Sequence, residues 1–368
     1  MQPSSAHVRI AWRAPQSAHV TVARRACRAF ASAGLALLAG CAVTLPGGDL
    51  GGAPAPSASA TSAAVMPGCL PFRAIAGVDA ATGAVRSVSL PDGSTLLVVD
   101  DAIVSGVDVP SLELTTPPGA SLADCLAAAT LSGDEAVSAL DPPTLSPLSG
   151  YSASGAAMLY YTDASMSAGV ASRDPSDGRF RPSGVPLWTS DRPAFGTAAA
   201  VTGDDVETIG CRSARYLDAD CFVARAPLAR AGDESAYEYY VGGGRWSPRI
   251  DDAWPATSGE GSIDVAFLPS ENEWVMAYVA PLARTIFLRR GLSPEGPWSA
   301  PVAAATCDLS DGDMFCGVHL HPALFARTGS IVLSYSAGSL SPEVAARRAA
   351  EPMKWWPRFV ELRVPTFD

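Results

Sequence analysis

The side chains in this sequence best able to do chemistry are carboxylates beside apolar runs: Asp79, Asp100 and Asp101 early in the chain, Glu260 and Asp264 later. Hydrolysis of a glycosidic bond needs two such groups, one held protonated to serve the leaving oxygen and one ionised on the other side of the bond. His319 and His321 stand two residues apart, so on a strand their side chains share a face. Together they would hold a transition metal or a sugar hydroxyl. A pair hydrogen-bonded within the fold is the alternative, and no third ligand accompanies them, so no metal is assigned. Arg289, Arg290 and Arg358 are cations that would pair with the carboxylates, and a site neutralised in that way would bind rather than cleave. Asp308, Asp311 and Asp313 offer the oxygens that Ca²⁺ prefers. They lack the spacing of an EF-hand and read as a solvated acidic loop, so no cofactor is expected.

The N-terminus carries a second kind of chemistry. Arg9, Arg13, Arg24, Arg25 and Arg28 precede a short apolar run over 29–40, with no acidic residue before Cys41. That run is too brief to span a bilayer, which takes about 20 apolar residues, and has the form of an export signal. It ends Leu38-Ala39-Gly40-Cys41, which resembles the lipobox of bacterial lipoproteins. The small residues admit a peptidase, and the Cys41 thiol takes the lipid. An ordinary secretory peptide is the alternative. Arg24 and Arg25 are followed by residues that suit the general export route better than a twin-arginine one. Removing residues 1–40 leaves 21 basic residues against 37 acidic ones, a net of 16 negative charges. A body of that sign repels phosphate backbones and anionic headgroups, which argues against nucleic acid and against any membrane contact beyond the anchor.

Six further cysteines follow: Cys69, Cys125, Cys211, Cys221, Cys307 and Cys316. An even count in an exported chain points to disulfides. The simplest pairing closes the two short loops, Cys211 with Cys221 and Cys307 with Cys316, leaving Cys69 with Cys125. Zinc is the rival, without the paired Cys-x-x-Cys spacing.

The elements that must position these groups read as strands. Residues 41–68 are Gly, Pro, Ala and Ser with few large side chains, a flexible tether. The remaining residues, 69–368, exceed what one simple core usually holds unless the fold grows by repetition. Three turns repeat: Gly178-Arg179-Phe180-Arg181-Pro182, Gly244-Arg245-Trp246-Ser247-Pro248 and Gly296-Pro297-Trp298-Ser299-Ala300-Pro301, their glycines 66 and 52 residues apart. Apolar strand pairs precede each, most plainly over 263–290, and the same grammar recurs at 85–105, 156–182, 197–248 and 323–364, giving five units. A small meander cannot bury both faces alone, and radial stacking into a propeller solves that; a β-sandwich would lack the ~50-residue period. Both faces of Trp274-Val275-Met276-Ala277-Tyr278 are apolar, as blades packed on either side require. A cap at Ser121 with Leu122, Cys125, Leu126 and Ala129 on one side predicts a short helix over 121–130, inserted in the first blade. The fold class is therefore all-β, a five-bladed propeller of four-stranded antiparallel blades.

Several strings carry a family resemblance: Asp92-Gly93 before Leu96-Leu97-Val98-Val99-Asp100, the Gly296-Pro297-Trp298-Ser299 turn, His321-Pro322-Ala323-Leu324, residues 331–336 and Pro357-Arg358-Phe359-Val360. Over about residues 72–365 the chain resembles bacterial secreted five-bladed propellers of unassigned function, related in architecture to arabinanase-like and levansucrase-like glycoside hydrolases. The resemblance implies Glu260 as general acid, from Glu260-Gly261, with Asp101 or Asp79 as base and Asp264 beside them. Asp79, Asp100, Arg289, His319, His321 and Arg358 would line the funnel that binds substrate. Arg173-Asp174-Pro175 is similar to a string of invertase-like enzymes but enters an outer hairpin resembling the Asp-box turn of sialidases, and Glu295-Gly296-Pro297 falls in another outer turn; both read as structural.

The expected protein is thus a monomer outside the cytoplasm, lipid-anchored to a bacterial membrane, whose funnel meets a glycan or another envelope component. It would cleave that glycan or bind it without turnover; a structural propeller engaging an envelope protein is the remaining class.

Overall fold

A computed structural model describes residues 64–65 and most of 78–363. Residues 1–63, 66–77, 117–129, 132–137, 259–261, 310–314, 326–329, 345–356 and 364–368, with scattered loop positions, lie outside the described set. So Cys41, Cys69, Cys125, Glu260, Asp311, Asp313 and all but the last residue of the helix expected over 121–130 fall outside it. That last residue, Thr130, opens a strand.

The chain folds as a five-bladed β-propeller. Strand β1 (Ala64–Val65) belongs with the last blade. Blade I holds β2 (Val78–Ala81), β3 (Val85–Ser89), β4 (Thr95–Val104), β5 (Val107–Thr116) and β6 (Thr130–Leu131). Blade II holds β7 (Ser146–Ala153), β8 (Ala156–Thr162), β9 (Ala168–Arg173) and β10 (Phe180–Pro182). Blade III is the widest, with β11 (Ala194–Thr202), β12 (Asp205–Arg215), β13 (Asp218–Pro227), β14 (Glu238–Tyr240), β15 (Trp246–Ser247) and β16 (Thr257–Ser258). Blade IV is β17 (Ser262–Leu268), β18 (Glu273–Val279), β19 (Thr285–Gly291) and β20 (Val302–Thr306). Blade V is β21 (Phe315–Leu320), β22 (Ser330–Gly338) and β23 (Arg358–Arg363), with β1 added antiparallel to β23. Blades I and III thus exceed the four strands expected. The inner strands β3, β7, β11, β17 and β21 stand side by side in a ring, each against the next and β21 against β3.

Blade-to-blade burial is the source of cohesion. Along β18, Val275, Ala277 and Val279 enter the cluster shared with blade V, while Trp274, Met276 and Tyr278 enter the one shared with blade III. Alternation along a strand sends successive side chains to opposite faces, so one strand feeds two cores. Blades II and III meet over Tyr160, Trp188, Phe195, Tyr237 and Tyr239, with Trp188 and Phe195 rings 4.9 Å apart. Their polar tips are satisfied inside the cluster: Trp188 Nε1 donates to Tyr239 Oη at 2.9 Å, and the Tyr160 and Tyr237 hydroxyls share a bond of the same length. Gly196 permits this contact, because at its φ of +100° an added Cβ would stand 2.3 Å from the Tyr160 Cβ.

The outer turns are structural. Arg173 pairs with Glu113 of blade I at 2.5 Å, fastening blades I and II, and Asp174 Oδ1 accepts the Ser176 N–H at 2.8 Å within its own turn. Disulfides Cys211–Cys221 and Cys307–Cys316 are formed, with Cα separations of 4.1 and 6.4 Å. The first joins directly opposed residues of β12 and β13; the second ties the approach to β21 onto its second residue.

Candidate functional site

Three blades send one side chain each to the axis. From blade I comes Arg86, in the middle of Val-Arg-Ser-Val, where every residue is buried. From blade IV comes Asp264, and from blade V His319. Arg86 Nη1 donates to His319 Nδ1 and lies 3.9 Å from Asp264 Oδ2, which is 3.7 Å from His319 Nδ1. Side-chain exposures of 10% for Arg86, 7% for Asp264 and 12% for His319 place the trio largely buried between the inner strands, with a small accessible remainder. A guanidinium has donors only, so His319 Nδ1 must accept and the ring proton is assigned to Nε2. Gly317, two residues earlier on the same face, has no side chain there; a Cβ would stand 3.9 Å from Nε2.

The inner strands have no ladder on their axial edge, and polar side chains of β17 supply what is missing. Ser262 Oγ accepts the Val318 N–H at 3.1 Å, Asp264 Oδ2 accepts the Leu320 N–H at 2.9 Å, and Asp264 Oδ1 accepts the Val265 N–H at 2.8 Å. Asp264 therefore stitches blade IV to blade V with both oxygens engaged, each keeping a further lone pair. Burial raises its pKa to about 6 against the opposing pull of Arg86 and the two N–H groups. Burial likewise lowers the pKa of Arg86, with Asp264 and then Asp100 favouring its charge. Two carboxylates thus offset one guanidinium, and the centre has no surplus positive charge with which to hold an anion. Arg86 Nε has no hydrogen-bond partner among the described residues. A buried donor left in that state costs about 1–3 kcal/mol.

The other residues singled out from the sequence divide clearly. Asp100 stands beside this cluster through its effect on Arg86, and its N–H bonds Ala84 O at 2.9 Å where β4 passes the bend between β2 and β3. Asp79 and Asp101 lie on β2 and β4, with side chains outside the described set. His321 is not an axial partner of His319. Strand β21 stops at Leu320, so the two-residue alternation does not carry through, and His321 precedes the 3-10 turn Pro322–Leu324. Fully buried, it shares a 2.8 Å bond with Ser334 Oγ through Nε2 and stacks on Phe359 at 5.0 Å. Burial, followed by the charge of Arg86, pushes its pKa down to about 3.

Arg289 and Arg358 do not converge with Asp264, contrary to the sequence-based expectation. Both sit on the third strand of their blades: Arg289 lies over the Tyr278 ring at 4.8 Å, and Arg358 pairs with Asp308. Arg290 pairs with Glu273 at 2.5 Å. Arg86, which sequence reasoning missed, takes the place they were expected to fill. Its signal was a single charge inside an otherwise buried strand. No group of three or more metal-ligating side chains occurs among the described residues.

Residues 163–338 match the family model described as a domain of unknown function, DUF4185. The matched stretch runs from the end of β8 to the last residue of β22, and so takes in most of the axial site but not Arg86. No curated protein matches the chain. Among solved structures, a Bacteroides ovatus protein with a provisional hydrolase assignment is similar at 15% identity and a TM-score of 0.51, covering 78% of this chain and 86% of that one. A GH43_1 enzyme from Xanthomonas citri complexed with xylotriose gives 15% identity and 0.47 over 80% and 92% of the two chains. A family 117 glycoside hydrolase from Zobellia galactanivorans gives 10% and 0.45 over 78% and 83%. At these identities the likeness is one of fold.

Proposed function

We propose that this chain is an extracytoplasmic propeller, lipid-anchored through Cys41, whose axial site binds the end of a neutral glycan. The observation that carries the reading is the meeting of Arg86, Asp264 and His319 from three blades at the inner strands. His319 Nε2 donates and Asp264 retains lone pairs, which together give the mixed donor and acceptor set a polyol requires. Charge balance at the centre favours a neutral sugar over a uronate or a phosphate. Two disulfides support an oxidising compartment.

A second reading, hydrolysis, has one observation in its favour: a carboxyl with a pKa near 6 is suited to general acid catalysis. The hydrogen bonds that occupy both Asp264 oxygens favour binding instead. A glycan array and a hydrolysis screen on the protein lacking its tether, with Asp264→Asn in parallel, separate the two. Binding without release of reducing sugar supports the first reading; turnover abolished by Asp264→Asn supports the second. Failure to bind any glycan would refute both.

A further inference from the structure

The outer edge of blade III carries an aromatic surface that the axial site does not use. Trp254 is 64% exposed, in a molecule whose other aromatic side chains are mostly packed between blades. Its exposure is not that of a loose loop. The 3-10 turn Ile250–Asp252 leads into it, its own N–H bonds Tyr240 O at 2.8 Å, and two residues later the Ala256 N–H bonds Cys221 O at 2.8 Å. The backbone is thus pinned on both sides while the indole is held out in water.

What lies beside the ring is also distinctive. Gly242, Gly243 and Gly244 follow one another with φ of +86°, +62° and +70°, and the Trp254 ring is the nearest group to the missing Cβ of Gly242, at 3.9 Å. A Cβ on Gly243 or Gly244 would meet nothing within 4 Å. So the floor next to the indole is bare backbone. Trp246, across from Tyr240 in the same hairpin, is capped by the Arg225 guanidinium at 4.2 Å, and Arg225 is held by Glu238 at 2.8 Å. Exposed Arg245, Arg249 and Asp252 fringe the patch.

A flat apolar face, an unobstructed flank and a rim of mixed charge fit the ring of a sugar, whose C–H face stacks on an aromatic while its hydroxyls reach polar groups. A protein partner would need several apolar anchors and about 1,000 Å² of contact. Among the described residues, the other exposed large apolar side chains, Val185, Leu282 and Leu292, are in turns of blades II and IV. We propose that Trp254 is a second carbohydrate-binding site, a stacking platform for one residue of a neutral polysaccharide. It stands at the level of the fourth strand, three strand spacings or about 14 Å out from β11. A polymer held there would be kept close to the propeller independently of what the axis holds.

Affinity electrophoresis of the tether-less protein through gels containing soluble xylan, arabinan or mixed-linkage β-glucan tests this. In at least one gel the wild type should be retarded, Trp254→Ala should lose the retardation by about tenfold or more, and Trp254→Phe should recover part of it. Val185→Ala, an exposed apolar side chain elsewhere on the molecule, should be retarded like the wild type, and Trp254→Ala should keep the wild-type affinity at the axis by calorimetry, which distinguishes this site from the axial one. Circular dichroism should show all three variants folded. Equal retardation of Trp254→Ala and wild type, retardation in none of the gels, or a Trp254-dependent interaction with a proline-rich peptide alone would overturn the proposal.

Discussion

At the residue scale, two buried titratable groups pull stability in opposite directions with pH. His321 stays neutral in the fold down to about pH 3, whereas in the unfolded chain it protonates near 6.5. The unfolded state therefore takes up the proton first, and this contribution is lost as pH falls from about 6.5 towards 3. Asp264 behaves in the other sense. Its folded pKa of about 6 exceeds the ordinary 3.8, so its contribution is complete below 3.8 and is lost as pH rises through 6. Urea unfolding at pH 4.5 and 7.5 reads both. His321→Gln should favour the acid condition relative to wild type by about 2–3 kcal/mol, and Asp264→Asn should favour the alkaline one by about 2 kcal/mol. Variants whose pH dependence matches that of the wild type would show that these environments are wrongly assigned. Arg86 explains why sequence reasoning picked the wrong cations. Arg289, Arg290 and Arg358 were expected to pair with the carboxylates, whereas the arginine that meets Asp264 comes from 178 residues earlier and from another blade.

At the scale of elements, strand legibility followed burial on two faces. Strand β18 was readable because both its faces are apolar, each for a different neighbour. The inner strands β7 and β21 were not, and the units read at 156–182 and 323–364 each begin one strand late. Strand β7 reads Ser-Pro-Leu-Ser-Gly-Tyr-Ser-Ala, with a register shift between Pro147 and Gly150, and β21 mixes Gly317 and His319 with its apolar residues. Facing the axis, these two strands give up the apolar pattern on which recognition depends, whereas Arg86 and Asp264, on β3 and β17, fall within the units read at 85–105 and 263–290. The repeated glycine-aromatic turns were legible, but in blade III that turn joins β14 to β15, one strand further out than in blades II and IV. The bulged start of β11 gives a test at this scale. Gly196→Ala combines a strained φ with a clash against Tyr160, and should cost about 3 kcal/mol or more, read as a lowered melting temperature. A variant as stable as wild type would mean that blades II and III do not approach so closely.

At the scale of the molecule, the order of the chain ties anchoring to closure. Ala64–Val65, inside the stretch 41–68 read from the sequence as a tether, instead pairs with β23 and adds a strand to the blade that meets blade I. No helix among the described residues is long and apolar enough to cross a membrane. The acidic body offers membranes no electrostatic attraction, so under the proposed anchoring a lipid on Cys41 would be the source of membrane affinity. Cys41→Ser should move the protein from the membrane fraction to the soluble one at any salt concentration; a variant that still sediments in high salt would contradict the anchor. The role of the axial site is tested most directly by calorimetric titration of the tether-less protein with the best glycan from the array. In a Trp254→Ala background, which leaves the axial site alone, binding should fit one site, and adding His319→Ala, folded by circular dichroism, should weaken it at least tenfold. Undiminished affinity in His319→Ala would contradict the claim that the axis is where the sugar is held.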